Sequence, residues 1–589
     1  MNKKVKQEAE NFLNNEKQFH LGILPTEQSN PKSRNIDLKF ADNPADGVKM
    51  LLSVDRDIHA MAKKVLKGNE FMEMVNAGED AVSKGNKIVF SGCGSTGRLS
   101  ILLEAMWRYF YKDLKQKYPE IYNQSKQFED CVYSIMTGGE YALIRSVEYF
   151  EDYHVFGRQQ VSDLDMTEED VLIAITEGGE TSSVLGTVAE AADRGAKVFL
   201  LFNNPASVLI DHIDRSRRAI EDPRVTVLDL FCGPMAIAGS TRMQAMTSEQ
   251  LIAGAALETI LGRILDQILS RDQKEMLNIR KIDYASAFNT LLDDLVTDLN
   301  TKILAEYLNM EKGVYQENGL ITYFAENFLL DIFTDTTERA PTFMLPPFKK
   351  IDDTVSPVSW AFVKNPLRST AAAWEYVLGR SPRCLEWDSD LYREMGVPGK
   401  LAYNPPVIDT TQIMKFYIGN DEDNSRLSRS PNVAVSIVGS REMKNPAYEN
   451  YRNAFKKCAS KFEQNYTLVI GEDIGDADYR ILCSPVRSVF NLMEHLAIKL
   501  ILNTVSTGTM ILMGRVTSNW MSWVDVSNKK LKDRGIRLIS EICNLSYRDA
   551  CYALHETIEQ LEKTKLDDKE KPSPVQYTID RLKSEDKNK

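Results

Sequence analysis

Between residues 87 and 270 short apolar runs alternate with amphipathic stretches: KIVFSG, then a helical stretch; CVYSIMTGG, then ALIRSVEYFED; DVLIAITEGG, then TSSVLGTVAEAADRG; KVFLLFNN; and TVLDLF. A run that is apolar at successive positions is a strand covered on both faces, and the stretches between supply the cover. The alternation predicts an α/β fold built on a parallel sheet flanked by helices. Ahead of it, a polar helical stretch leads into LPTEQSNPKSRNID, where Pro25, Pro31 and several turn formers predict an extended, structured arm. NPADGVKMLLSVDRDIHAMAKKVL and FMEMVNAGEDAVSKG place apolar residues at helical intervals and predict helices leading into the sheet.

Three turns at the predicted strand ends are rich in glycine or hydroxyls: GCGSTG at 92–97, TGGE at 137–140 and TEGGETSS at 176–183. Gly92, Gly94 and Gly97 let a backbone approach an anion closely, and Ser95 and Thr96 add donors beside the amides of a helix start. In an open parallel sheet ligands bind beyond the carboxyl ends of the strands, so the three turns can converge on one pocket. A phosphate is expected at Gly94, Ser95, Thr96 and Gly97, helped by Thr181, Ser182 and Ser240, and Glu140 of the middle turn is a further substrate-binding candidate. The same letters satisfy the dinucleotide fingerprint G-x-G-x-x-G, but the acid expected about twenty residues on is missing. A plain glycine turn without a ligand is the other alternative.

At 589 residues the chain exceeds one ordinary core and predicts three or four units. A formal charge of -12 and a pI near 5.3 argue against binding a phosphate backbone, so no nucleic acid is expected and any anion site is local. MNKKVKQEAENFLNNEK lacks a signal-peptide core, and the most apolar long stretch, 496–516, contains Lys499, Asn503 and Arg515. No membrane span is expected, and the location is read as cytoplasmic. Eight cysteines without a C-x-x-C pair and six histidines without ligand spacing predict reduced thiols, no structural metal and no cofactor.

TEQSNP, GCGSTGRL, TGGEYALIRSVEYFED and AGSTRMQAMTSEQL at 238–251 together resemble successive motifs of the N-acetylmuramic acid 6-phosphate etherases, which belong to the sugar isomerase (SIS) domain superfamily. A relative of theirs, the glucokinase regulatory protein, contains two such domains, and the layout here resembles it. Segments 239–242 and 502–508, nearly contiguous in a single-domain etherase, are separated by a domain-sized insertion. That insertion resembles a degenerate second copy. NGLITYFAENFLLDIFTDTTERAPTF at 318–343 follows the etherase order of strand, loop and helix, but FAENFL stands where the glycine loop belongs. VAVSIVG at 432–438 and YTLVIG at 466–471 support a second sheet, and CSPVRSVFNLMEHLAIKLI at 483–501 mirrors CGPMAIAGSTRMQAMTSEQLI. The expected layout is an arm and helices over 1–60, a phosphate-binding SIS domain over 61–275 and a degenerate SIS domain over 276–515. A helical cap over 516–565 and a disordered tail over 566–589 follow, with the two halves packed like a fused dimer.

The resemblance implies a sugar 6-phosphate ligand and assigns acid and base roles to two glutamates, which map onto Glu151 and Glu338. At the position of Glu338 the first half carries Met106, so the acid would come from the second half, together with Lys499. An etherase-like reaction takes the proton at carbon 2 and removes lactate from carbon 3, which requires one base and one acid. A solvated carboxylate is the plain alternative for each glutamate. Glu180 stands where the resemblance expects arginine, and Gln244 where it expects lysine, so positive charge is lost near the pocket. Two classes remain: a carbon–oxygen lyase, and a non-catalytic sugar-phosphate sensor acting on a sugar kinase, with 345–480 as the candidate partner surface.

Overall fold

The computed structural model describes residues 3–147, 149–563 and 572–587. Two five-stranded sheets organise it. The first contains β1 (Ile88–Gly92), β2 (Val132–Met136), β3 (Val171–Ile175), β4 (Lys197–Phe202) and β5 (Val225–Asp229), in the order β2-β1-β3-β4-β5. The second contains β6 (Leu320–Phe324), β7 (Ala361–Lys364), β8 (Asn432–Gly439), β9 (Gln464–Gly471) and β10 (Tyr479–Leu482), in the order β7-β6-β8-β9-β10. Every pairing within both sheets is parallel. Numbered within its own half, each sheet has the order 2-1-3-4-5, so the second repeats the winding of the first. Phe90 lies between Ser134 and Ile173, as Tyr323 lies between Val363 and Val435.

Side chains alternate across a strand, and this alternation divides the core. Ile88 and Phe90 enter a core shared by both halves, whereas Val89 enters a cluster of the first half alone. Ile321 and Tyr323 likewise enter the shared core, while Phe324 joins Tyr451 and Phe455 on the outer side. Between the sheets lie the helices Ser95–Lys117, Gln244–Asp266, Leu329–Phe343 and Leu492–Leu512, which are buried along most of their length. Leu492–Leu512 is long and apolar enough to cross a membrane, yet 94% of its apolar window is buried inside the protein. The buried pair Arg242–Asp335, at 2.8 Å, joins the halves, and Asp335 also accepts from Asn503 at 2.9 Å and Ser506 at 2.7 Å.

Two expectations are corrected. ALIRSVEYFED is not one helix: Tyr141–Ile144 ends early, Tyr149 has φ 68°, and a 3-10 turn covers Phe150–Asp152. Phe150 packs against Phe156 and Trp387, with ring centroids 4.5 and 6.2 Å away, and this draws the segment off a straight helical path. The tail expected to be disordered contains the helix Pro574–Lys587. Val575 and Ile579 are buried on it, and the Ser573 hydroxyl donates to Ser522 O at 3.1 Å, which anchors its start. Residues 566–571, 588 and 589 of that tail lie outside the described residues.

Candidate functional site

The site begins at the turn between β1 and the Ser95–Lys117 helix. A Cβ on Gly92 would lie 2.4 Å from the carbonyl carbon of Thr96, and Gly94 has φ 57°, so both positions require glycine. Thr96 Oγ1 accepts from Cys93 N at 3.0 Å and donates to Cys93 O at 2.9 Å. The Ser95 hydroxyl donates to Glu177, just beyond β3. These bonds fix the turn.

A cavity of about 320 Å³ opens at the carboxyl ends of β1 and β2. The first half supplies Gly94, Thr137, Glu151, Ser240 and Arg242 to its wall, the second half Glu338 and Pro341, and the cap Asn528, Lys530 and Arg534. Glu338, on the helix Leu329–Phe343, is ion-paired with Arg98 of the Ser95–Lys117 helix. A Cβ on Gly94 would lie 4.0 Å from Glu338 Oε1, so a second-half carboxylate comes close to the glycine turn. Glu151 faces the same cavity and accepts from Asn528 Nδ2 at 3.1 Å. The helix that presents Asn528, Lys530 and Arg534 is held by the arm, where Glu27 receives two bonds from Arg534 at 2.9 and 2.7 Å.

Burial shapes the electrostatics of this wall and of the carboxyls behind it. It raises Glu151 above the usual carboxylate range, with Lys530 opposing. Glu177 is pushed up to about 7 by burial, against the Ser95 hydrogen bond and with the Glu338 carboxylate adding to the rise. At Glu180 burial is outweighed by Lys530 and Arg215, which hold it at about 2. Lys530 lies 2.9 Å from Glu180, so the acid expected to strip the pocket of positive charge is matched by a cation 350 residues away.

Gly94, Glu151, Ser240 and Glu338 are the assigned residues that face the cavity. Ser95, Thr96 and Gly97 form the first helical turn behind Gly94. Thr181 and Ser182 are half-buried off the cavity wall, where Thr181 accepts from Thr176 at 3.1 Å and Ser182 starts the helix Ser182–Asp193. Lys499 is one layer deeper: its ammonium donates to Arg242 O at 3.1 Å, Met243 O at 3.2 Å and Thr247 Oγ1 at 2.6 Å. Burial pushes it down to about 7, and it braces the turn that presents Ser240. Glu140 departs furthest from expectation. It pairs with Arg380 and accepts from the Arg383 amide at 2.5 Å, because the 380–383 segment of the second half covers it. The sequence reading missed Asn528, Lys530 and Arg534, whose available signal was the basic run NKKLKDR.

The glucokinase regulatory protein N-terminal SIS domain family matches residues 70–192. N-acetylmuramic acid 6-phosphate etherase 1 of Bacillus licheniformis is 30% identical over 253 residues, covering 42% of this chain and 73% of that protein. The N-acetylmuramic acid 6-phosphate etherase of Aliivibrio fischeri is 26% identical over 261 residues, covering 43% of this chain and 77% of that protein. Among solved structures, a tagatose-6-phosphate ketose/aldose isomerase from Escherichia coli aligns with a TM-score of 0.41 and 10% identity, over 81% of this chain and 95% of that one. With etherase similarity over 42% of the chain, the SIS-domain match at 70–192 and two sheets of one winding, the chain belongs to the N-acetylmuramic acid 6-phosphate etherase and glucokinase regulatory protein family of SIS-domain proteins.

Proposed function

We propose that the chain binds a sugar 6-phosphate in the composite cavity and acts on it as an etherase-like carbon–oxygen lyase, with N-acetylmuramic acid 6-phosphate or a related amino-sugar phosphate as substrate. The observation that carries this reading is the approach of Glu338 to the Gly94 turn, with Glu151 on the same cavity wall. Neither half holds a full set. The first has Met106 where the second has Glu338, and the second has FAENFL where the first has its cradle. One chain then acts as a pseudo-dimer with one composite site.

In this reading the helix start at Ser95 takes the phosphate. One carboxylate removes the proton at carbon 2 of the open-chain sugar, and the other carboxyl gives its proton to the departing lactate oxygen. The carbon 3–oxygen bond breaks as the carbon 2–carbon 3 double bond forms, and water then adds to that bond. Glu151, raised by burial, is a stronger base than an exposed carboxylate. Lactate released from N-acetylmuramic acid 6-phosphate by the purified chain tests the reading, and binding without lactate sinks the lyase.

A second reading, a sugar-phosphate sensor acting on a sugar kinase, is favoured by the Arg98–Glu338 pair. Glu338 is already engaged by the first half, so a ligand that reaches it must exchange that contact and thereby shift the junction of the halves. Sugar 6-phosphate binding that alters association with a sugar kinase, without lactate release, selects this reading.

A further inference from the structure

A second cavity, of about 630 Å³, lies at the carboxyl end of the second sheet and repeats the place of the first. The loop Glu326-Asn327-Phe328 follows β6 as the glycine turn follows β1, and Met106 of the first half lines this cavity as Glu338 of the second lines the other. Its chemistry is inverted. Glu326, Glu442 and Glu494 bring three carboxyls to one wall. Arg368 is committed to Glu326 at 2.9 Å and Arg441 to Glu494 at 3.0 Å. Glu442 has no ion pair among the described residues. It accepts from Gly439 N at 2.9 Å, and burial pushes it up to about 8, with the Glu494 and Glu326 carboxylates adding to the rise.

We propose that this cavity is a second ligand site, and that it takes a neutral, hydroxyl-rich ligand of one or two sugar rings, not a phosphorylated one. Carboxyl and amide oxygens accept from hydroxyls, and a protonated Glu442 donates to one. Tyr109 and Tyr376, contributed by opposite halves and stacked at 6.0 Å, with the Arg368 guanidinium over the Tyr376 ring at 3.6 Å, give the wall aromatic edges against which the apolar side of a ring can pack. Arg368, which lines this wall, has its Nη1 buried without a hydrogen-bond acceptor, so its guanidinium is one partner short. A phosphate dianion would instead meet the Glu326, Glu442 and Glu494 carboxyls, with Arg368 and Arg441 already ion-paired to two of them and the two lysines of the lining at the exposed rim, Lys112 over Tyr376 at 4.6 Å and Lys117 paired with Asp113 at 2.5 Å. The volume falls within the range of about 300 to 1,000 Å³ usual for small-molecule pockets.

Saturation-transfer NMR and calorimetry on the full chain test this, with glucose, N-acetylglucosamine, N,N′-diacetylchitobiose and N-acetylglucosamine 6-phosphate as probes. At least one neutral sugar is expected to bind and to keep its affinity in Ser95→Ala. In Asn327→Ala and Tyr376→Ala its affinity is expected to fall at least about tenfold, while the 6-phosphate shows the reverse pattern. Circular dichroism and the retained 6-phosphate binding confirm that these two variants fold. The proposal is overturned if none of the three neutral sugars binds at about 20 mM, some 2.3 kcal/mol of binding energy. It is equally overturned if their binding is lost in Ser95→Ala or stands unchanged in both second-cavity variants.

Discussion

The two sheet ends are built by one winding and differ in what their first loop carries. After β1, Gly92, where a Cβ would clash with Thr96, and Gly94, at φ 57°, make a tight turn onto a helix start. After β6, Phe328 occupies the corresponding place and packs its ring against His495 at 5.3 Å. The first end gathers Glu338 from the other half and Lys530 from the cap, and the second gathers Met106 and three carboxyls. Topology therefore fixes where a ligand can sit, and a few loop residues decide which ligand. On the composite-site proposal, each end can lack what the other supplies.

The difference can be broken at several points, beginning with the largest effect. If the lyase reading holds, Glu338→Gln and Glu151→Gln each lower lactate release by about 10² to 10⁴, whereas Glu326→Gln at the second end leaves it unchanged, as read by steady-state assay. Asp335→Ala strips the buried Arg242 of its partner and is expected to cost about 3 to 5 kcal/mol in urea unfolding. Glu326→Ala, which breaks the more exposed pair with Arg368, costs clearly less.

Each end also holds a buried acid with a raised pKa, and here the sign is the same but the window differs. Glu177 rises from 4.5 to about 7 on folding, so the folded chain keeps a proton that the unfolded chain releases. Its contribution to stability is full below pH 4.5 and is lost as pH climbs to about 7, at about 1.4 kcal/mol per pH unit. For Glu442 the loss continues to about pH 8. Unfolding measured across pH is expected to flatten between 4.5 and about 7 in Glu177→Gln, and between 4.5 and about 8 in Glu442→Gln. The smallest effect belongs to Thr96→Ala, which removes the bonds closing the glycine turn and should lower the melting temperature by the equivalent of about 1 kcal/mol.

The strands were legible in the sequence because a parallel strand covered on both faces is mostly apolar at successive positions, as Val171–Ile175 shows. The approach of Glu338 to the first half was legible through the split motif and the complementary change at Met106. Lys530 was not, because NKKLKDR reads as any solvated helix start until Glu27 of the arm draws its arginine over the first sheet. Glu140 misled for a similar reason. Its position after β2 points toward a ligand, but Arg380 and Arg383 approach from 240 residues or more away and take the carboxylate. Lys499 carries the letter of a ligand contact, and only its depth, with bonds to two backbone carbonyls of the Ser240 turn region, shows that it braces. Contacts that depend on long-range packing leave no local pattern to read.

That the phosphate site is single and composite is tested most directly by calorimetric titration of the full chain with N-acetylmuramic acid 6-phosphate. The expected result is one equivalent bound per chain, absent in the Ser95→Ala, Thr96→Ala double variant, weakened or stripped of turnover in Glu338→Gln, and unchanged in Glu442→Gln. Two equivalents per chain, or binding that survives the double variant, would contradict it.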